Sequence, residues 1–134
     1  MDQTKDNLKS ILNEVKTIAL VGASSNPERD SYKVMKFLIK KGYEVYPVNP
    51  KEIENNILGK RCYSNLFEIE KKIDMVDVFR AKEYVFDITK DAIEINANIL
   101  WTQEGIIDEN AASLGKNSGL IVVMNECPKK VLDA

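Results

Sequence analysis

The chain has 134 residues and no histidine. Imidazole is the side chain whose ordinary pKa lies near neutral pH, and it is the commonest general base in enzymes. Its absence also removes the usual carrier of a transferred phosphoryl group. The carboxylates are scattered over the chain, with no evident acid–base pair. The sequence therefore favours ligand binding over catalysis, and it predicts no catalytic residue.

Cysteine is scarce as well. The chain has only Cys62 and Cys127, with no CxxC pair. A structural zinc needs about four nitrogen or sulfur ligands, so such a site is excluded. Two cysteines in a chain of this size fit a reducing compartment.

Long hydrophobic runs are missing too. The longest, residues 120–124, is far too short to span a bilayer, and the polar start carries no signal segment. We therefore expect a cytoplasmic protein without a membrane partner.

The net charge of -2 and the pI near 5.3 argue against nucleic acid as a partner, because domains that bind it are usually basic. The length and the 44% hydrophobic content fit one globular domain over residues 1–134.

Helical and strand patterns alternate along the chain. Apolar residues at helical spacing predict an amphipathic N-terminal helix within residues 1–16, packed on the domain. A helix capped by Asp30 or Ser31 follows the first strand. Alternation of this kind is typical of an α/β fold with a single doubly wound parallel sheet, Rossmann-like, in three α/β/α layers. The strands are predicted at residues 18–21, 44–48, 61–63, 74–79, 98–102 and 120–124.

Open parallel sheets bind ligands beyond the carboxyl ends of their strands, where the strand order reverses. With residues 61–63 as the third strand, the order 3-2-1-4-5-6 places that reversal between residues 18–21 and 75–79. Gly22 and Arg80 follow these two strands directly. We therefore expect both residues to face one crevice.

The loop after the first strand is Gly-Ala-Ser-Ser-Asn-Pro, residues 22–27. The dinucleotide fingerprint G-x-G-x-x-G needs three glycines, and only Gly22 is present. Ser24 and Ser25 offer hydroxyl donors instead, and a loop before a helix can present N–H groups to an anion. The loop predicts a phosphate site, but a weak one for NAD.

The end of the second strand reads Val-Asn-Pro-Lys, residues 48–51. NAD-binding proteins usually have Asp or Glu here, to hold the ribose hydroxyls. Lys51 would attract a ribose phosphate, which a carboxylate would repel. This favours NADP or coenzyme A, and spacing alone does not separate the two.

Other candidates have two interpretations each. Arg80 can bind a diphosphate in bidentate fashion, or it can form a salt bridge with Asp77 or Glu83. Trp101 can fill the core or serve as a platform for a ligand. Lys33 can be solvated or can contact a phosphate.

Taken in order, several segments resemble one family. The chain is similar to the small bacterial and archaeal CoA-binding-domain proteins, a Rossmann-like family related to the nucleotide-binding domain of the succinyl-CoA synthetase alpha subunit. The matching segments are IALVGAS at residues 18–24, YEVYPVNP at 43–50, LGKRCYSNL at 58–66, VDVFR at 76–80, WTQEG at 101–105 and VVMNECP at 122–128.

The resemblance implies that coenzyme A or an acyl-CoA lies across the strand ends. Gly22, Ala23, Ser24 and Ser25 would surround the diphosphate, and Asn49, Pro50 and Lys51 would lie near the adenosine phosphate. Phe79 and Arg80 would line the crevice, with Trp101, Thr102, Gln103 and Glu104 toward the pantetheine.

The synthetases use a phosphorylated histidine, which this chain lacks. We therefore expect a non-catalytic CoA or acyl-CoA binding module, either a sensor or an accessory subunit. One alternative is an NADP-binding oxidoreductase or redox sensor. Another is an interaction subunit with an acyl-CoA synthetase-type partner. The sequence leaves the oligomeric state open.

Overall fold

The computed structural model describes residues 3–133. The predicted domain covers these residues, and Met1, Asp2 and Ala134 lie outside them. The strands are β1 Thr17–Val21, β2 Glu44–Val48, β3 Asn56–Ile57, β4 Lys60–Arg61, β5 Met75–Val78, β6 Ile99–Thr102 and β7 Ile121–Val123. The helices are α1 Lys5–Asn13, α2 Asp30–Lys40, α3 Lys82–Glu94, α4 Glu109–Asn117 and α5 Pro128–Asp133, with single 3-10 turns at Pro50–Glu52 and Leu66–Glu68.

Five strands form one parallel sheet in the order β2-β1-β5-β6-β7. The predicted Rossmann-like α/β fold is therefore confirmed. β1 lies between β2 and β5, so the strand order reverses at β1, as the sequence predicts. The carboxyl ends of β1, β2 and β5 consequently lie together at one edge of the sheet.

Alternate residues of β1 supply the two faces of the core. Ile18 and Leu20 pack with Leu12, Met35 and Trp101 on one face, which α1, α2 and α5 cover. Ala19 and Val21 belong to the second cluster, with side chains of α3 and α4 such as Val85 and Ala111. A strand covered on both faces reads as a continuous apolar run, which is why Ile-Ala-Leu-Val has no polar residue.

The predicted third strand at residues 61–63 is wrong as a full strand. Lys60–Arg61 pairs antiparallel with Asn56–Ile57, and only Tyr63 forms a parallel bridge, with Val48. Leu58 and Gly59 both have positive φ, +52° and +78°, which is the geometry of a two-residue hairpin turn. The tight turn folds this segment onto itself before it can extend along β2.

The start of α2 also differs from the expectation. Neither Asp30 nor Ser31 caps the helix. Its N-cap is Arg29, whose side chain makes no capping hydrogen bond. The preceding loop is already held by local turns, since Asn26 N–H donates to Ser24 Oγ over 3.0 Å. The first N–H groups of α2 therefore have no side-chain cap, which matters for the site described below.

The last helix, α5, packs beside α1 and α2 on the first face of the sheet. Its Val131 is buried there, and Lys130 reaches Glu104 across 2.9 Å. Within residues 3–133, no helix has the length and apolar character needed to cross a membrane.

Candidate functional site

A cavity of about 780 Å³ opens at the carboxyl ends of β1, β2 and β5. Its size suits a nucleotide-sized ligand, because binding pockets commonly measure about 300–1,000 Å³. The lining residues are Gly22, Ala23, Ser24, Glu28, Arg29, Asp30, Ser31, Asn49, Pro50, Lys51, Glu52, Phe79 and Arg80. The cavity therefore lies at the reversal of strand order, and the start of α2 forms one of its walls.

Backbone hydrogen bonds hold the three strand ends together. The N–H groups of Gly22 and Ala23 both donate to the carbonyl of Val48, over 2.9 and 3.3 Å. Phe79 N–H donates to Val21 O over 2.7 Å. Gly22 has φ +93°, and a Cβ added there would lie 2.6 Å from Phe79 O. Only glycine fits where the backbone of residue 22 approaches the backbone of Phe79, so Gly22 determines the shape of the cavity floor.

Asn49 connects the loops after β1 and β2. Its Nδ2 donates to Ala23 O over 2.8 Å, and its Oδ1 accepts from Lys51 N–H over 2.9 Å. The second bond caps the 3-10 turn at Pro50–Glu52. Both polar atoms of the side chain are thus engaged in fixing the loops, and the capped turn holds Lys51 at the cavity.

The amino end of α2 faces the same cavity through Asp30 and Ser31. Since the Arg29 cap leaves the first N–H groups of this helix without a side-chain acceptor, they remain available for an anion. The helix dipole adds a partial positive charge at this end. Asp30 opposes this effect with one carboxylate in the first turn.

Three cations line the cavity: Arg29, Lys51 and Arg80. None of them forms a salt bridge to another residue in the described part of the chain. Arg80 instead places its guanidinium over the Tyr84 ring, with Cζ 4.1 Å from the centroid. The alternative salt bridge from Arg80 to Asp77 or Glu83 is thus not formed.

Glu52 adds a carboxylate to the cavity wall beside Lys51. It accepts from Ser25 N–H over 2.6 Å, and from Ser25 Oγ over 2.9 and 3.1 Å with its two oxygens. These bonds, the backbone one foremost, lower the pKa of Glu52 below its ordinary value. Glu52 is therefore an anion at neutral pH, and it occupies both donors of Ser25.

Most of the residues expected at the diphosphate and the ribose phosphate meet at this cavity. They are Gly22, Ala23, Ser24, Asn49, Pro50, Lys51, Phe79 and Arg80. Ser25 is bound to Glu52 and does not line the cavity, and Lys33 lies exposed on α2.

The segment expected near the pantetheine lies away from the cavity. Trp101 is fully buried, and its Nε1 donates to Glu126 O over 2.9 Å. Thr102 is also fully buried, and its hydroxyl donates to Ile106 O over 2.7 Å. Glu104 is exposed and paired with Lys130, while Gln103 is half-buried. Trp101 therefore fills the core, which was the other of its two interpretations.

The sequence analysis did not assign four of the lining residues to the site: Glu28, Asp30, Ser31 and Glu52. Glu28 lies in the loop before α2, and Asp30 and Ser31 lie in its first turn. The sequence analysis expected Asp30 or Ser31 to precede the helix, so it placed the start of α2 too late. Glu52 follows Lys51 directly, and a 3-10 turn capped by Asn49 would have indicated that both face the cavity.

Asp77 is a buried carboxyl group on β5, outside the cavity lining. It has no accessible surface, and among the described residues neither oxygen has a hydrogen-bond partner. Burial raises its pKa to about 8. It does not line the cavity, so its unusual pKa bears on stability and not on a ligand.

Comparison with known proteins finds relatives that match most of the chain. The Bacillus subtilis (strain 168) protein YneT is 39% identical over 126 residues, which cover 94% of this chain and 92% of YneT. A solved structure described as a hypothetical protein from Pyrococcus horikoshii OT3 has a TM-score of 0.92 and 38% identity, covering 97% of this chain and 90% of that one.

The chain is also related to ligase subunits. It is 35% identical over 89 residues to the acetate–CoA ligase (ADP-forming) I subunit alpha of Pyrococcus furiosus. That match covers 63% of this chain but only 19% of the subunit. Residues 16–133 match the family described as CoA binding domain, and the chain belongs to this family.

Proposed function

We propose that the protein is a non-catalytic binding module for coenzyme A or an acyl-CoA, acting as a sensor or an accessory subunit. The observation that carries the proposal is the cavity at the reversal of strand order. There, three cations that form no salt bridge within residues 3–133 meet the start of α2, which has no side-chain cap. Coenzyme A carries about four negative charges if its terminal phosphate contributes about two. A cavity with these donors suits such a ligand.

The diphosphate would lie against the loop of Gly22 to Ser24 and the first N–H groups of α2. Lys51, at the end of β2, would bind the phosphate on the ribose. Arg80 would approach from β5, and its stacking on Tyr84 limits the directions in which the guanidinium can point. The family to which the chain belongs favours coenzyme A over NADP for this arrangement.

The non-catalytic part of the proposal rests on the titratable groups near the cavity. The sequence has no histidine, and Glu52 is held in its ionised form by Ser25. Asp77, whose pKa burial raises to about 8, does not line the cavity. A group that is always ionised, or out of reach, makes a poor general acid at pH 7.

A Lys51→Ala substitution tests the proposed contact. We expect it to weaken coenzyme A binding about tenfold, which corresponds to about 1.4 kcal/mol for one charge-assisted hydrogen bond to phosphate. Dephospho-CoA lacks that phosphate, so its affinity should change little. Isothermal titration calorimetry of both ligands measures the difference.

Lys36→Ala is the matched control, because Lys36 is an exposed lysine of α2 that does not line the cavity. It removes the same charge and should leave both affinities unchanged. Equal losses for coenzyme A and dephospho-CoA in the Lys51 variant would contradict the role given to Lys51.

A further inference from the structure

An acidic side chain occupies donors at the edge of an anion-binding cavity. Glu52 lines the cavity beside Lys51, and its carboxylate takes both the N–H and the hydroxyl of Ser25. Asn55 Nδ2 donates to the same carboxylate over 2.9 Å. A carboxylate thus occupies a loop N–H and a hydroxyl that could otherwise donate to a phosphate.

Both partners of this contact lie in loops at the protein surface. Ser25 is exposed, in the loop between β1 and α2. Glu52 ends a single 3-10 turn and makes its bonds at the protein surface. The other links between the two loops, from Asn49 to Ala23 and from Gly22 to Val48, do not involve either residue. Releasing Glu52 from Ser25 would therefore leave the strand ends joined.

Glu52 also changes the electrostatic potential in the cavity. Its carboxylate is an anion at neutral pH and shares the cavity wall with Lys51 and Arg80. It lowers the positive potential that these cations create. A ligand with phosphates is repelled by Glu52 while it stays in place, whereas an uncharged ligand is not.

We propose that Glu52 lowers the affinity of this site for ligands with a diphosphate, because the diphosphate must displace its carboxylate from the Ser25 donors. This inference rests on the proposed function. A ligand without a diphosphate has no group that replaces the carboxylate, so it leaves the Glu52–Ser25 contact closed. Glu52 thus weakens the binding of ligands that carry a diphosphate and leaves the binding of ligands without phosphate unchanged.

Two substitutions at Glu52 test the exchange. Glu52→Gln keeps the shape and removes the charge, and Glu52→Ala removes the contact. Calorimetry with coenzyme A should show both variants binding about fivefold more tightly than the wild type. Pantetheine, which has no phosphate, should bind all three alike. Glu54→Gln is the matched control, since Glu54 is exposed and outside the cavity.

The opposite possibility is that Glu52 only braces the loop. In that case Glu52→Ala would bind coenzyme A more weakly than the wild type, and Glu52→Gln would be unchanged, which would overturn the inference. A crystal structure of the coenzyme A complex gives a second readout. The inference requires that Ser25 N and Glu52 lie beyond hydrogen-bond distance there, and a retained bond would contradict it.

The outcomes separate this inference from the proposed function. A wild-type chain that binds coenzyme A, with neither variant tighter, overturns the role of Glu52 and leaves the proposed function standing. No binding heat from the wild type or either variant overturns both. Glu52→Gln carries the test if Glu52→Ala proves unstable on thermal melting, because the amide can still accept from Ser25.

Discussion

Replacing Gly22 with alanine should destabilise the protein by about 4 kcal/mol and abolish ligand binding. The added Cβ would lie 2.6 Å from the Phe79 carbonyl oxygen and 2.9 Å from its carbon. Backbone atoms cannot move aside as a flexible side chain can, so β1 and β5 must separate at the cavity floor. Overpacking of this kind costs about 1–3 kcal/mol, and a positive φ adds about 1–2 kcal/mol. Thermal and urea denaturation measure the loss.

Gly119→Ala is the matched control for that experiment. Gly119 has φ +91°, nearly the value of Gly22, but an added Cβ would find nothing within 4 Å. We expect this variant to lose only about 1–2 kcal/mol, from the backbone conformation alone. The difference between the two variants measures the close approach of β1 to Phe79. Equal losses of unfolding free energy in the two variants would contradict the role given to the close approach between Gly22 and Phe79.

The second large effect is a pH-dependent stabilisation by Asp77→Asn. Burial raises the pKa of Asp77 to about 8 in the folded protein, against an ordinary value of 3.8. Between these values the unfolded chain has lost the proton that the folded chain keeps. Folding then takes up a proton, so the stability of the wild type falls as the pH rises and levels off above about pH 8. The amide of asparagine has the same shape and no such proton.

The gain in unfolding free energy from Asp77→Asn should therefore grow by about 4 kcal/mol between pH 5 and pH 8. Urea denaturation of both proteins over this range measures it. Asp87→Asn is the control, since the Asp87 side chain is 82% exposed, and its effect should stay constant with pH. A pH-independent difference between Asp77→Asn and the wild type would show that Asp77 is ionised in the folded state.

The sequence predicted the parallel sheet and most of the residues that the sheet brings together at the cavity. The apolar run of β1 and the turn at Gly22 indicated a strand covered on both faces. The alternation of strands and helices indicated a parallel sheet, and it predicted correctly that the strand order reverses at β1. From these two features the convergence of Gly22, Asn49 and Arg80 at one edge follows, because parallel strands all point their carboxyl ends the same way.

What the sequence could not predict depends on contacts between distant segments. An apolar residue near a strand end can face the core or a ligand, and only packing decides that Trp101 is buried against the end of β7 and α5. The bond from Ser25 to Glu52 joins two loops that are 27 positions apart. Asp77 lies within an apolar strand, and nothing in the local pattern indicates that it has no hydrogen-bond partner within residues 3–133.

Two elements differ from the prediction for reasons that are visible in the local sequence. Leu58-Gly59 forms a two-residue turn with two positive φ values, which converts the expected third strand into a hairpin. The helix α5 begins at Pro128 and buries Val131. Proline at a first helical position, followed three residues later by an apolar side chain, is a recognisable helix start.

Calorimetric titration of the wild-type protein with coenzyme A, and with NADP under the same conditions, tests the central claim most directly. If the cavity at the ends of β1, β2 and β5 is built for coenzyme A, that ligand should give a saturable one-to-one isotherm. NADP should bind more weakly or not at all. An absence of heat with coenzyme A, or tighter binding of NADP, would contradict the account.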